Sequence, residues 1–312
     1  MLGEVTRVLD MKDAQSEIVA LVGFGEAGQH IGGALAAAGL RVRAYDIRHN
    51  EPALVEAAKR SGVEFVGSLS VVEGATLVFS LVTASSAIDA ARAAAKHLKP
   101  GQTYIDFNSV SPATKRAVAD AIARSGARFV EAAIMAPVPG PNEKVPLLLS
   151  APGAEEVAAR LAKIGMKAEI AGDRIGDASL SKMLRSIFIK GIEALMLESL
   201  VAARHVGIEE RILDSVQKTL PGINWRELSA YNLERTATHG KRRTAEMFES
   251  AATVRELGLD PFVTEGIARR IEWSYAKLKD AQWAKGRPET YEEVLDVLES
   301  ALRAEKKQDA AE

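Results

Sequence analysis

Short apolar runs alternate with stretches of helical spacing from residue 17 to about residue 172, and the alternation then stops. The runs predict strands at 18–22, 41–46, 64–66, 77–82, 103–107, 128–130, 146–150 and 167–170. Helices of about a dozen residues, such as 86–97 and 112–125, separate several of them. This order builds an α/β domain, a doubly wound parallel sheet with helices on both faces, whose ligands bind at the carboxyl ends of the strands. After Gly172 the strand signals end, and an all-α domain is expected. Residues 177–205 carry apolar side chains round most of one helix, which implies burial inside that domain or across an interface between two copies. Helical pattern continues to about 304, with breaks expected at Pro221-Gly222, around His239-Gly240 and at Asp260-Pro261. The resulting plan is an extension (1–15), an α/β domain (16–172), a helical domain (173–304) and a charged tail (305–312).

The first strand, Ile18-Val19-Ala20-Leu21-Val22, runs into Gly23-Phe24-Gly25-Glu26-Ala27-Gly28, a G-x-G-x-x-G turn. A helix of small residues follows, and a second strand ends in Asp46. A dinucleotide needs these parts in this order. Gly23 permits the tight turn, Gly25 lets the backbone approach a pyrophosphate, and Gly28 lets the helix pack on the strand. The helix N-terminus supplies N–H groups and partial positive charge. Asp46 is placed to accept the adenosine ribose hydroxyls, which favours NAD. Arg43, Arg48 and His49 lie near enough in sequence to hold a 2′-phosphate, so NADP is not excluded. Phe24, Glu26 and Ala27 in the turn, Arg48, and Val82 and Thr83 at the end of the fourth strand complete the expected cofactor edge.

Composition narrows the partners. The chain has 312 residues, enough for two cores, and 40 basic against 42 acidic side chains. That near-balance gives no electrostatic case for nucleic acid or an anionic membrane. With no cysteine, disulfides, thiolate catalysis and zinc–thiolate sites are all absent. No apolar run reaches membrane-spanning length, and residues 1–17 lack a signal-peptide core, so a cytoplasmic protein is expected. The other histidines show no metal-ligand spacing, and no metal site is expected.

Three further stretches carry chemistry. Asp106-Phe107-Asn108-Ser109-Val110-Ser111-Pro112 follows a strand and precedes a helix, where its polar side chains either cap the helix or meet a substrate. Glu131 to Gly140 reads EAAIMAPVPG. Gly176-Asp177-Ala178-Ser179-Leu180-Ser181-Lys182 places a lysine at the start of the long apolar helix. Together with the glycine turn, these stretches resemble the β-hydroxyacid dehydrogenases, the group of 3-hydroxyisobutyrate and 6-phosphogluconate dehydrogenases. The nearest likeness is to 6-phosphogluconate-dehydrogenase-like proteins with a variant C-terminal helical domain and no assigned substrate.

The resemblance implies an NAD(P)-dependent dehydrogenase acting on a hydroxyl-bearing carbon of a small hydroxyacid-like substrate, probed from a cleft between the two domains. Lys182 matches the catalytic lysine of that family. Asn108 and Ser109 match its D-x-S-T-x-x-P segment, with Asn108 where serine is usual. Met135-Ala136-Pro137 replace the Ser-Gly-Gly of its substrate loop and Glu131 its aspartate, which points Met135 at a bulkier or more apolar substrate. Ser186 stands where asparagine is usual. The decarboxylating enzymes carry a glutamate seven residues after the lysine, and Ile189 stands there, so decarboxylation is disfavoured.

His239, Lys241, Arg242 and Arg243 form a basic cluster expected just before a helix. Cations there oppose the helix dipole, which suggests that His239, Arg242 and Arg243 hold an anion, such as a substrate carboxylate; the alternative is a solvated loop paired with Glu246 or Glu249. The long apolar helix suggests a homodimer. Two other functions stay open on the residues alone: an imine reductase or opine-type dehydrogenase, and a dinucleotide-binding sensor without turnover.

Overall fold

The computed structural model describes residues 17–309. The extension expected over 1–15 lies outside them. The described chain divides into two compact units between Lys182 and Met183.

The first unit is an eight-stranded sheet. Its elements are β1 (Ile18–Val22), α1 (Glu26–Ala37), β2 (Arg41–Tyr45), α2 (Pro52–Ser61), β3 (Glu64–Phe65), β4 (Leu77–Ser80), α3 (Ala87–Ala94), β5 (Thr103–Asp106), α4 (Pro112–Ala123), β6 (Arg128–Ile134), β7 (Leu147–Ser150), α5 (Ala154–Lys163) and β8 (Ala168–Gly172). The strand order is β3-β2-β1-β4-β5-β6-β7-β8. β1 to β6 are parallel, with Val22 opposite Tyr45 on one side and Ser80 on the other. Alternate β1 side chains feed two cores: Val19 and Leu21 pack on one face, Ala20 and Val22 on the other, all buried. A strand buried on both faces reads as an unbroken apolar run, which is why β1 was visible in the sequence.

The expected all-parallel sheet needs one correction. β7 pairs antiparallel with β6, and β8 parallel with β7. A parallel return requires a crossover, usually a helix. The segment between β6 and β7 holds Pro137, Pro139 and Pro141 and only a short 3₁₀ turn at Asn142–Lys144, so the chain doubles back. β6 is also longer than expected, reaching Ile134.

Helix ends follow local chemistry. Ser111 caps α4 by accepting the Thr114 N–H at 3.3 Å, with Pro112 in the first turn. α1 differs: its N-cap is Gly25, and no side chain caps it.

α6 (Asp177–His205) carries the chain across the division between units. The second unit continues with α7 (Glu209–Thr219), α8 (Trp225–Glu256), α9 (Phe262–Leu278) and α10 (Tyr291–Asp309). Its core gathers Leu197, Leu233, Met247, Ile271, Val294 and Leu298. α8 runs unbroken through His239-Gly240, where a helix break was expected. Gly240 serves packing instead: a Cβ there would sit 2.5 Å from Cβ of Tyr275 on α9. α10 likewise continues to Asp309, into the stretch expected to be a tail. α6 is less enclosed than its apolar circumference implied, since Phe188 and Leu195 are each 72% exposed.

Candidate functional site

The glycine turn sits between the carboxyl ends of β1 and β4. Gly23 adopts φ +100°, and a Cβ there would lie 2.4 Å from the Leu81 carbonyl oxygen. A Cβ on Gly28 would meet the Gly23 carbonyl oxygen at 2.6 Å. Gly25 is the opposite case, with no atom within 4 Å of a Cβ. Two glycines therefore serve packing, and the third faces open space at an uncapped helix start. Phe24 is fully buried, tilted against Phe65 at 5.4 Å, so it contributes its backbone rather than its ring to this surface. Glu26 is exposed in the first turn of α1, and Ala27 is half-buried against the core. These residues fit a dinucleotide: free N–H groups and bare backbone where a pyrophosphate needs them.

Asp46, at the end of β2, is 8% exposed. Its Oδ2 accepts the Phe24 N–H at 2.9 Å, and its Oδ1 accepts the Arg48 N–H at 3.0 Å and Arg48 Nε–H at 3.3 Å. Arg48 also pairs with Glu51 at 3.5 Å. Arg43 donates to the Glu73 carbonyl at 2.6 Å, away from Asp46's partners.

Along the same edge, Asn108 joins the ends of β4 and β5. Its Oδ1 accepts the Val82 N–H at 2.7 Å, its Nδ2 donates to Ser80 Oγ at 2.9 Å, and its own N–H donates to Asp106 Oδ1 at 2.9 Å. The side chain is 4% exposed and committed within the fold. Ser109 beside it differs. Its Oγ is buried and has no hydrogen-bond partner among the described residues. A buried hydroxyl without a partner costs about 1–3 kcal/mol, which a ligand oxygen would return. Thr83 is exposed, its hydroxyl bonded to Ser86 Oγ at 3.0 Å.

One buried charged group on this side of the sheet, Lys115, was not singled out in the sequence. Lys115 Nζ, 1% exposed, donates to the Asp106 carbonyl at 2.7 Å and pairs with its carboxylate at 3.3 Å. Burial pushes the Asp106 carboxyl above its ordinary range; Lys115 opposes that shift and neighbouring Glu131 adds to it. The signal for Lys115 was a lysine on the apolar stripe of α4, in line with Val118, Ala119 and Ile122.

Glu131 is fully buried and meets three donors: Ser150 Oγ–H at 2.9 Å and the Gly176 and Ser179 N–H groups at the start of α6. Lys182, half-buried, lies one turn further along that helix. In the segment between β6 and β7, Met135 is half-buried and its N–H donates to the Pro146 carbonyl at 2.9 Å. Ala136 packs against the core, so part of the apolar character expected to face a substrate is spent inside.

The second unit holds the remaining candidates. Ser186 is half-buried on α6. His239, Arg242 and Arg243 lie in the middle of α8, not at a helix start, so the dipole argument for an anion there falls away. Arg243 Nε–H donates to Glu193 Oε1 at 3.0 Å, and Thr236 also donates to the fully buried Glu193. Glu246 receives Lys190 at 2.7 Å and Arg242 at 2.8 Å. Burial pushes the Lys190 amine below its ordinary range, against the pull of Glu246. Three cations thus share two carboxylates, and Arg242, 51% exposed, is the accessible member. Among the described residues, no three histidine or acidic side chains are grouped to hold a metal, and no helix is long and apolar enough to cross a membrane.

Residues 18–168 match the NAD-binding domain of 6-phosphogluconate dehydrogenase, and residues 203–274 match a domain of unknown function (DUF1932). A conserved hypothetical protein from Sinorhizobium meliloti 1021 is 42% identical, with 91% of this chain and 96% of that one covered and a TM-score of 0.71. A conserved protein of unknown function, described as structurally similar to 3-hydroxyacid dehydrogenases, is 33% identical, with 82% and 95% covered and a TM-score of 0.65. The chain belongs to the β-hydroxyacid dehydrogenase family. Within that family, the 3-hydroxyisobutyrate dehydrogenase of Pseudomonas aeruginosa is 27% identical over 227 residues, covering 69% of this chain and 73% of that protein. The first unit is therefore an NAD-binding domain of the Rossmann type, and the helical part belongs to the branch with the variant C-terminal domain.

Proposed function

We propose that this β-hydroxyacid dehydrogenase relative is an NAD(P)-dependent oxidoreductase acting on a hydroxyl-bearing carbon of a hydroxyacid-like substrate, without decarboxylation. NAD is the favoured cofactor. The observation that carries the reading is the buried, unpartnered Ser109 hydroxyl on the same strand-end edge as the open glycine turn. A substrate oxygen at that edge would satisfy the hydroxyl, which supports a substrate site beside the dinucleotide.

When bound, the nicotinamide accepts or returns the hydride. Gly23 to Gly28, with Val82 and Thr83, hold the dinucleotide, and Asp46 and Arg48 receive its adenosine end. Ser109 hydrogen-bonds the substrate. Asn108 acts by holding the ends of β4 and β5 in register, so that Ser109 and Val82 keep their spacing. Lys182 takes the hydroxyl proton in oxidation and gives it back in reduction. Ser186, Met135, His239 and Arg242 are the further substrate contacts, with Arg242 the cation for a carboxylate. Ile189 offers no second acid or base at the position a decarboxylating enzyme needs, which supports simple hydride transfer.

Leu184, Phe188 and Leu195 are exposed on α6 at spacings that place them along one face, and this stripe supports a homodimer. Light scattering of the protein and of Phe188→Glu checks that part: the variant should be monomeric.

Lys182→Ala tests the chemistry. General acid–base catalysis contributes typically 10²–10⁴-fold. The variant should lose at least about a hundredfold in kcat on a 3-hydroxyacid, with NAD affinity and Tm unchanged. Arginine should not rescue it. Retained kcat in Lys182→Ala would remove the lysine from the mechanism and favour reduction of a C=N bond.

A further inference from the structure

The start of α6 is held by side chains from the sheet. Glu131 on β6 accepts the N–H groups of Gly176 and Ser179, one on each carboxylate oxygen. Ser150 on β7 accepts the Ala178 N–H at 3.0 Å and donates to Glu131 at 2.9 Å. Three backbone donors that a helix start leaves orphaned are thus satisfied by two residues far away in sequence. All the side chains involved are buried: Glu131 and Ser150 at 0% exposure, Ser179 at 1%. The register of the strands fixes the partners, since Glu131 lies opposite both Ser150 and Asp106.

The helix so held carries Lys182 in its second turn. We propose that Glu131 is a positioning residue for Lys182: it anchors the first turn of α6 to β6 and β7, and so fixes where the lysine leaves the helix. This rests on the reading of Lys182 as the acid–base group. A second consequence follows from charge. A helix start carries roughly half a positive charge, and the Glu131 carboxylate neutralises it from beneath. Removing that carboxylate leaves an uncompensated positive end one turn before Lys182, which favours the neutral form of that amine. The other charged groups around this cap are Asp106 with its partner Lys115, Arg174 paired with Asp177 at 3.1 Å, and Arg116, whose guanidinium comes within 3.2 Å of where a Gly176 Cβ would sit. Of the two carboxylates among them, neither Asp106 nor Asp177 takes the Gly176 or Ser179 N–H, both of which go to Glu131.

The test reads Lys182 directly and needs no substrate. The full-length protein is briefly acetylated with limiting acetic anhydride across a pH series, and the Lys182 peptide is quantified by mass spectrometry, with exposed Lys59 and Lys96 as internal references. In Glu131→Gln the labelling midpoint of Lys182 should fall by roughly 0.2–0.7 pH unit, the size of a helix-end charge effect, while the references stay put. Glu131→Asp, which keeps the charge, should restore most of the midpoint. An unchanged Lys182 midpoint in folded Glu131→Gln overturns the proposal.

Should Glu131→Gln fail to fold, Ser150→Ala carries the test. Amide exchange over 176–179 should rise and the Lys182 labelling rate should change with it; faster exchange with unaltered labelling overturns the proposal as well. Lys182→Ala turnover separates the two readings. An inactive Lys182→Ala together with unshifted Lys182 labelling in Glu131→Gln sinks the role of Glu131 alone. An active Lys182→Ala sinks the catalytic reading of the lysine, and the labelling shift then stands or falls by itself.

Discussion

Asp46 Oδ2 accepts the Phe24 N–H at 2.9 Å, across 22 residues of sequence. The acid expected to meet a ribose is thus also the latch of the glycine turn. Its other oxygen is engaged by Arg48, a cation suited to a 2′-phosphate once released from the pair. Two functions on one carboxylate can be separated by two substitutions.

Asp46→Ala removes both the latch and the ribose acceptor. Calorimetry should show NAD affinity falling at least about tenfold, with a lower Tm, because a hydrogen bond to a charged group is worth roughly 1.5–3 kcal/mol. Asp46→Asn keeps an oxygen for the Phe24 N–H and drops the charge, so it should move preference toward NADP. An equal change for the two cofactors in Asp46→Asn would mean that Asp46 serves the turn alone.

Gly240→Ala reports on the joint between α8 and α9. On an exposed helix this change stabilises by about 1 kcal/mol. Here the new methyl would stand 2.5 Å from Tyr275 Cβ, and overpacking typically costs about 1–3 kcal/mol. Thermal melts should therefore show a loss. A gain in Tm would mean that α9 shifts freely and that Gly240 is not a packing residue.

The parts legible in the sequence are those whose signal is local. The β1 run, the glycine turn and the α6 pattern need only neighbours to be read, and each lies where expected. What was hidden depends on strand register and partner choice. Glu131 stood out only as a departure from a motif, since its donors lie 45 and 48 residues away. Asn108 showed the right chemistry for a ligand, yet its amide is spent between Val82 and Ser80. Gly240 gave the signal of a helix break, because sequence alone does not separate a glycine that ends a helix from one that admits a neighbouring side chain.

Glu17 ties the start of β1 to α5 and sets an acid limit. Burial raises its carboxyl, but hydrogen bonds from Arg160 and Thr76 with the charge of Arg160 outweigh that and hold it below its ordinary value of 4.5. A carboxyl lowered in the folded state contributes stability that is complete above the unfolded value and lost as pH falls through the folded one. Urea melts should thus show a loss of stability below about pH 4.5 that is smaller in Glu17→Gln. At pH 7 that variant should be less stable by roughly 1–2 kcal/mol, since the pair, at 2.9 Å, is mostly shielded from solvent. Parallel pH curves for the two proteins would remove Glu17 from the acid limit.

Arg242 and Arg243 are neighbours in sequence with opposite expectations. Arg243, 11% exposed, neutralises Glu193, which has no exposure at all. Arg243→Met leaves that carboxylate buried and unpaired, at a cost of about 3–5 kcal/mol, and should lower Tm sharply. Replacing both residues with apolar ones of similar size should recover most of the loss, since a buried pair returns little beyond its own desolvation. Arg242 is half in solvent and shares Glu246 with Lys190, which stays to balance it. Arg242→Met should change stability by no more than about 0.5 kcal/mol. If Arg242 holds a substrate carboxylate, KM on a 3-hydroxyacid should rise about 10- to 150-fold with NAD affinity unchanged, the worth of one charge-assisted hydrogen bond. An unaltered KM in a fully stable Arg242→Met protein would leave this cluster as scaffolding for α6 and α8, and the substrate's anion would have to be met at the strand-end edge around Ser109.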